Sequence, residues 1–302
     1  MSALGDRPGP LDAASLHPWL QPTGMDRHYF AEAARLRAEI AGLLVRDLGA
    51  GAFVPYLVQN ATAGLTAVLW AAARAGRQVH VPGPAAQHHP DLHRLLPWSA
   101  PAHGWSFRTH VSPLTGHTDP LPDAPVRIVD ASQSLGTTLT GAALRGGDVL
   151  LAPLHLHLGL AVGVGLVLVR REHPELDPVH AVLAGAEADA QSLAPLRQVA
   201  RNLSAARGSI VNRAEIRVDE RLRAWGTRRG LSISGSPSGV PFACVSTVDG
   251  TPVADRIDLA GWWHHRDTDT ARFAVQTTGL LCDGPVDRTD AFTAALGEAG
   301  TP

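Results

Sequence analysis

The stretch from Arg127 to Arg171 constrains the fold of this 302-residue chain more than any other. It consists of short apolar runs separated by polar and glycine-rich turns, a pattern that indicates three strands. The first run ends at Asp130, and the second leads into Leu-His-Leu-His, which contains His155 and His157. Acid and imidazole side chains at the ends of neighbouring strands form ligand sites in many α/β sheets, so we expect a site here.

The composition is that of an ordinary globular protein, with 45% apolar residues, 18% charged residues and a net charge of -2. No basic surface favours nucleic acid or an anionic membrane as a partner. The longest apolar run, Leu158 to Val169, is too short and too rich in glycine to span a bilayer. The first residues lack the apolar core of a signal peptide. We therefore expect a soluble cytoplasmic protein that binds neither nucleic acid nor membrane.

Lysine is missing from the chain, because all 26 of its Lys and Arg residues are Arg. A GC-rich coding bias explains a drift from Lys to Arg, but that bias alone does not remove a lysine that a reaction needs. Without lysine, no side chain can form a Schiff base through an ε-amine.

Apolar runs that alternate with helical segments predict a mostly parallel sheet covered by helices. Helical periodicity is clearest over residues 25–48, and the segment 193–229 is expected to contain two helices. Beyond residue 231, short segments indicate a small α+β domain that ends in a helix near 288–296. The predicted organisation is an N-terminal arm over residues 1–24, a large α/β domain over 25–210 and a small α+β domain over 211–302.

Two other segments contain candidate ligand-binding residues. Asn60, Ala61 and Thr62 precede a helix, and the N-terminus of a helix suits a phosphate or carboxylate. An ordinary N-cap made by Asn60 or Thr62 explains the same residues. His88 and His89, with a further histidine four residues on, have the residue types of a metal site, although solvated or hydrogen-bonded histidines explain them more simply.

Together these segments resemble the class V aminotransferase family, which contains cysteine desulfurases, kynureninase and isopenicillin N epimerase-like lyases. These enzymes use pyridoxal phosphate (PLP) and have the fold known as type I. Four features carry the resemblance, in the order in which the family has them: Asn60-Ala61-Thr62, Gln87-His88-His89 followed by Pro97-Trp98, VDASQSLG with Asp130 and Gln133, and TARFAV with Arg272.

The resemblance implies an α/β fold of the type I PLP-transferase kind, with a mostly parallel seven-stranded-type sheet and a small C-terminal α+β domain. It assigns the cofactor phosphate to residues 60–62, and it assigns stacking on the pyridine ring to His88 or His89. It also places Asp130 at the pyridine nitrogen, which a carboxylate keeps protonated, and Gln133 near the ring hydroxyl. Arg272 matches an arginine that binds the substrate carboxylate bidentately. A cofactor site at a dimer interface implies a homodimer.

The chain departs from the family at the S-x-H-K motif, whose lysine binds PLP covalently. The corresponding residues here are Pro153-Leu154-His155-Leu156-His157, and the lysine position aligns with Leu156. This chain therefore cannot form the internal aldimine, which excludes an ordinary transaminase or desulfurase. A desulfurase also needs a nucleophilic cysteine on a mobile loop, and neither Cys244 nor Cys282 has a matching context.

Three functions fit these residues. In the first, PLP or its pyridoxamine form (PMP) is held non-covalently, and His155 or His157 carries protons in place of lysine, as in a small group of fold type I sugar dehydratases. The substrate is then an amino acid or related carboxylate, and the reaction a lyase- or rearrangement-type step in specialised metabolism. In the second, the vacated pocket binds a metal or haem iron through His155 and His157, which are expected to share one face of a strand. The third is a non-catalytic pseudoenzyme or partner subunit, with no cofactor.

Overall fold

Helices and strands alternate through most of the described chain. The structure is a computed structural model and describes residues 25–81, 104–118, 120, 123–137, 141–189, 193–205, 220–235, 242–257, 259, 263–274, 276–277 and 286–287. Its α-helices are α1 (Met25–Leu48), α2 (Ala61–Arg74), α3 (Gly141–Gly146), α4 (Asp177–Asp189), α5 (Leu193–Ala205) and α6 (Glu220–Thr227). Its strands are β1 (Phe53–Val58), β2 (Val79–His80), β3 (Trp105–Thr109), β4 (Arg127–Asp130), β5 (Val149–Pro153), β6 (Gly165–Arg170), β7 (Leu231–Gly235), β8 (Phe242–Thr247), β9 (Trp263–His265), β10 (Thr270–Ala274), β11 (Gln276–Thr277) and β12 (Val286–Asp287).

The first six strands form one sheet in the order β1-β6-β5-β4-β3-β2. Strands β2 to β5 pair in parallel, whereas β6 runs antiparallel to both of its neighbours, β1 and β5. The carboxyl ends of β1 to β5 therefore lie at one edge of the sheet, together with the amino end of β6. The predicted mostly parallel sheet is confirmed, with six strands among the described residues.

Both faces of this sheet are covered by helices. Leu150 and Ala152 of β5 pack in a core that also contains residues of α1 and α5. The alternate residues of the same strand, Val149 and Leu151, pack in a second core with residues of α2 and α4. Because successive side chains of a strand point to opposite faces, a strand covered on both sides is apolar at every position. This explains why β5 reads as an unbroken apolar run in the sequence.

Buried ion pairs hold the opposite edge of the sheet. The Asp148 side chain is 4% exposed and lies 3.1 Å from Nε of Arg127 and 3.0 Å from Nε of Arg170. Burial alone would raise the pKa of Asp148, but the hydrogen bonds from Arg127 and Arg170 outweigh it and leave that pKa below its ordinary value. The charged carboxylate thus ties the start of β4 to the end of β6.

A second, antiparallel sheet has the strand order β7-β8-β10-β9. In its register Arg272 lies opposite Cys244 on one side and Trp263 on the other. Phe242 is two residues before Cys244, so all four residues share one face of the sheet. This face meets the loop after β3, because Phe242 and Cys244 pack against Val111. The small sheet, with α6 against β7, confirms the predicted C-terminal α+β unit.

Some expectations concern residues outside the described ranges. The domain boundaries at residues 24 and 210 and the helix near 288–296 belong to this group and stay predictions. Within the described ranges, none of the helices combines the length and the apolar character needed to cross a bilayer.

Candidate functional site

Five chain segments converge at the carboxyl edge of the six-stranded sheet. Along this edge the strand order places the turn after β1 first, then the start of β6, and then the ends of β5, β4 and β3. These segments contain, in the same order, Asn60, Gly165, His155, Asp130 and His110. Neighbouring strands lie about 4.8 Å apart, so the edge brings residues from distant parts of the chain within reach of one ligand.

Asp130 and Gln133 are buried polar residues at the end of β4 and in the loop that follows it. Asp130 is 0% exposed, and its Oδ1 accepts a hydrogen bond from the Ser132 backbone N–H at 2.8 Å. Gln133 is 2% exposed, and its backbone carbonyl accepts a hydrogen bond from Thr137 Oγ1 at 3.0 Å. The Asp130 carboxylate and the Gln133 backbone are therefore held by short hydrogen bonds within their own loop.

The two central histidines lie in a turn rather than on a strand. Strand β5 ends at Pro153, and residues 154–158 form a bend and a turn. The expectation that His155 and His157 share one face of a strand was therefore wrong, because that alternation applies only to extended backbone. His157 is 7% exposed, His155 is half-buried, and Leu156 between them is 37% exposed.

Burial holds both imidazoles neutral at pH 7. Burial, with smaller contributions from the charges of Arg272 and His155, lowers the pKa of His157 to about 3. Burial also lowers the pKa of His155. Nε2 of His157 lies 3.3 Å from Oε1 of Gln133. Because an amide oxygen only accepts, the neutral His157 ring donates this hydrogen bond from Nε2.

Arg272 is a half-buried cation between two aromatic rings. Its guanidinium carbon lies 4.4 Å from the ring centre of Trp263 and 5.1 Å from that of Phe242. Within the described ranges its buried Nη1 has no hydrogen-bond partner, and Asp269, a possible counter-ion, instead lies 2.8 Å from Nε2 of His264. Burial lowers the pKa of Arg272 to about 10, so the side chain stays charged at pH 7. A buried nitrogen of a charged group is costly when it has no hydrogen-bond partner, so Nη1 is a candidate donor to a bound anion.

Phe242 lies between Arg272 and the histidine turn, residues 154–158. Its ring lies 6.4 Å from that of His157 at an angle of 18°, so the face of the small sheet contacts the site in the large sheet. Cys244, on the same face, donates from Sγ to the carbonyl of Pro113 at 3.3 Å. Burial raises the pKa of Cys244 to about 12, which keeps the thiol protonated and excludes it as a nucleophile at neutral pH.

The turn after β1 caps helix α2. Oδ1 of Asn60 accepts a hydrogen bond from the Ala63 N–H at 2.8 Å, which makes Asn60 an N-cap. Ala61 is buried and Thr62 is exposed, and their N–H groups have no acceptor within the helix. Gly165 allows this turn to lie against β6, because a Cβ on it would come within 2.8 Å of the Asn60 carbonyl carbon. Phosphate binding by residues 60–62 stays a prediction.

Two predicted roles of histidines remain: stacking on a cofactor ring, and binding of a metal or haem iron. His88 and His89 lie outside the described residues, so their stacking role stays a prediction. Across the described ranges, no group of three or more His, Cys, Asp or Glu side chains is arranged to hold a metal ion. Metal or haem ligation by His155 and His157 therefore gains no support from the described residues.

The sequence reasoning missed His110, Phe242 and Trp263. His110 directly follows a strand that ends at the same edge as Asp130, so the rule that strand ends form ligand sites applies to it as well. No local signal points to Phe242 or Trp263, because their contact with Arg272 depends on the register of three strands.

Solved structures share this architecture at low sequence identity. An alanine–glyoxylate aminotransferase from Nostoc sp. has a TM-score of 0.62 and 17% identity, over 91% of this chain and 88% of the other. A sphingosine-1-phosphate lyase from Burkholderia pseudomallei has a TM-score of 0.61 and 13% identity, over 91% and 78%. A NifS-like protein from Rickettsia africae has a TM-score of 0.58 and 11% identity, over 93% and 91%. At these identities the likeness shows the fold alone, and it confirms the predicted α/β fold of the type I PLP-transferase kind.

Sequence comparison leads to a single family. No curated protein matches the chain. One family matches residues 11–298, which is nearly the whole chain and includes every segment of the site described above. The chain therefore belongs to the family described as "Family of unknown function (DUF6024)".

Proposed function

We propose that this chain holds PLP or PMP without covalent attachment and acts on an amino acid or a related carboxylate. The proposed reaction is a lyase- or rearrangement-type step in specialised metabolism. The observation that carries the proposal is the Arg272 guanidinium, whose buried Nη1 has no hydrogen-bond partner within the described ranges. A substrate carboxylate supplies a negative charge and an acceptor for Nη1, in the planar geometry that a guanidinium binds.

The residues at the carboxyl edge suit PLP as a non-covalent ligand. The buried carboxylate of Asp130 suits the protonated pyridine nitrogen. The N-terminus of α2 at Ala61 and Thr62 suits a phosphate, and the missing side chain of Gly165 leaves room for this turn beside β6. Covalent attachment does not fit, because the chain has no lysine.

The chain's own residues divide the work of the reaction. Bound PLP supplies the electron sink for the electrons of a substrate bond that breaks beside its ring. Arg272 orients the substrate by its carboxylate, and Asp130 holds a proton at the ring nitrogen. His155, neutral and half-buried, accepts a proton from the substrate and returns it. His157 donates a hydrogen bond to Gln133 and holds that side chain in place. His157 is not assigned the proton transfer, because its low pKa makes it a poor proton acceptor in the free protein.

The names of the similar structures support this class of reaction. One is a lyase and another an aminotransferase, and both share the fold of this chain.

A cytoplasmic homodimer is part of the same proposal. Leu156 and Val162, which are 37% and 73% exposed beside the histidine turn, support a surface that a second copy covers. Light scattering of the purified full chain measures its oligomeric state.

Cofactor binding tests the proposal directly. We expect the purified chain to bind PLP or PMP and to release it on dialysis, and we expect Asp130→Asn to weaken binding by about tenfold or more, because a neutral amide does not pair with the ring nitrogen. The matched control is Asp123→Asn, which changes an exposed carboxylate and leaves binding unchanged. Absorption spectra and equilibrium dialysis give the dissociation constants.

A second arm of this experiment tests the substrate class. Thermal shifts with the L-amino acids and their oxo acids, in the presence of PLP or PMP, identify a stabilising carboxylate. Arg272→Met should abolish that shift, whereas Arg228→Met, at an exposed position, should retain it. A chain that binds neither PLP nor PMP contradicts the proposal, and a stoichiometric metal or a haem absorption band would establish the histidine-ligand alternative instead. Cofactor binding without a substrate response would indicate a pseudoenzyme.

A further inference from the structure

His110 lies at the β3 end of the candidate site, next to Asp130, and neither the sequence pattern nor the comparisons assign it a function. It directly follows β3, and its backbone N–H donates to the carbonyl of Asp130 at 2.8 Å. The next residue, Val111, packs against Phe242 and Cys244 of the small sheet. His110 therefore lies where the carboxyl edge of the large sheet meets the face that contains Arg272.

The His110 ring is buried and lacks hydrogen bonds to the described residues. The residue is 6% exposed, and Nδ1 is buried without a hydrogen-bond partner in that part of the chain. Burial lowers the pKa of His110, with no charged neighbour contributing, so the ring is neutral at pH 7. Buried polar side chains are nearly always hydrogen-bonded, so an imidazole in this state requires an explanation.

Two other histidines of the described chain, His180 and His264, have hydrogen-bonded rings. Nδ1 of His180 lies 2.8 Å from the Tyr56 hydroxyl, and its Nε2 lies 3.2 Å from the carbonyl of Arg170. Nε2 of His264 lies 2.8 Å from Oδ1 of Asp269. Nδ1 of His155 and Nδ1 of His173 are also buried without a hydrogen-bond partner in the described chain, but both residues are only half-buried, whereas His110 is 6% exposed.

We propose that His110 is a ligand-contacting residue, whose neutral ring exchanges a hydrogen bond with an uncharged oxygen, a hydroxyl or a carbonyl, of the molecule bound beside Asp130. A neutral imidazole has one donor and one acceptor nitrogen, which suits an uncharged polar group better than a second anion. This inference rests on the proposed function, because it needs a ligand at the carboxyl edge.

Two measurements on the same variants test the inference. In His110→Leu the ligand-free protein loses no side-chain hydrogen bond to the described residues, so its Tm should be unchanged or higher, while the dissociation constant of PLP or PMP should rise about tenfold. His110→Asn places a hydrogen-bonding atom near the position of Nδ1 and should restore part of the affinity. His117→Leu changes an exposed histidine nearby and should alter neither quantity.

The outcomes separate the inference from the proposed function. A lower Tm for His110→Leu would show that the ring stabilises the free protein, and that result overturns the inference. Wild-type affinity in His110→Leu overturns it as well, while the proposed function stands. If the wild-type chain binds neither PLP nor PMP, the proposed function fails and this inference fails with it.

Discussion

The surroundings of His157 determine the protonation state of its ring. Its ring donates to Gln133, lies beside Phe242 and is buried next to the charge of Arg272. Its burial and the nearby charge of Arg272 favour the neutral imidazole. We therefore propose that His157 is a positioning group in the free protein and that the half-buried His155 carries protons.

The low pKa of His157 predicts a loss of stability in acid. Between pH 6.5, the ordinary histidine pKa, and about pH 3, the pKa in the fold, the unfolded chain binds a proton that the folded chain does not. Stability therefore falls as the pH is lowered through this window, by about 2 kcal/mol between pH 7 and pH 5 for this residue. In His157→Gln that part of the loss should disappear, as measured by urea unfolding at the two pH values.

The control for this prediction is His117→Gln, which changes an exposed histidine and should keep the wild-type dependence on pH. His155 and His110 contribute in the same direction, since burial lowers their pKa values too, so the variant retains some sensitivity to acid. An unchanged slope in His157→Gln would mean that its imidazole is not held neutral by the fold.

At the scale of elements, the start of helix α2 packs against the start of strand β6 and forms one end of the site. Val58 and Pro153, the last residues of β1 and β5, both lie opposite Gly165, the first residue of β6. The Asn60 cap begins α2 immediately above this point. The helix start and the histidine turn are therefore separated only by the backbone of β6.

Gly165→Ala should disrupt this arrangement. The new Cβ would lie 2.8 Å from the carbonyl carbon of Asn60 and 3.1 Å from the nitrogen of Ala61, and backbone atoms move less easily than side-chain ends. We expect a loss of about 2 kcal/mol in unfolding free energy, together with weaker binding of PLP. Urea unfolding and equilibrium dialysis measure the two effects.

Gly185→Ala is the matched control, because a Cβ there meets nothing within 4 Å and the residue lies inside α4. That change should stabilise the chain by up to about 1 kcal/mol, since alanine is the better helix former. If Gly165→Ala behaves like Gly185→Ala, the turn at Asn60 has more room than its contacts indicate.

At the scale of the whole molecule, the candidate site is shared between two sheets. Asp130, Gln133 and the histidine turn belong to the large sheet, while Arg272, Phe242 and Trp263 belong to the small one. The contacts of Phe242 with His157 and of Cys244 with Pro113 join them. A substrate bound to Arg272 is thereby brought to the carboxyl edge of the large sheet.

The reactivity of the Cys244 thiol measures whether the small sheet stays in contact with the loop at Pro113. It is 2% exposed, and burial raises its pKa to about 12, so we expect iodoacetamide to leave it unmodified in the native protein at pH 7.5. Peptide mass spectrometry, with protein labelled in urea as the control, measures the modified fraction. Rapid native labelling of Cys244 would show that the small sheet separates readily from the loop at Pro113.

Much of the fold could be predicted from local pattern. The helix over residues 25–48 has the bounds that its periodicity indicated. Such patterns work because burial repeats with the period of the element itself. By the same logic an acid after an apolar run placed Asp130 at the edge of the sheet, with Gln133 close behind.

What the sequence by itself determined is therefore the element pattern, the strand-end acid and the absence of lysine. Only the tertiary structure decided that Arg272 lies between Trp263 and Phe242, that Phe242 contacts His157, and that the His110 ring is buried without a partner in the described chain. These features arise from strand register and from contacts between residues far apart in the chain. No local periodicity encodes them, because each depends on how the whole chain folds back on itself.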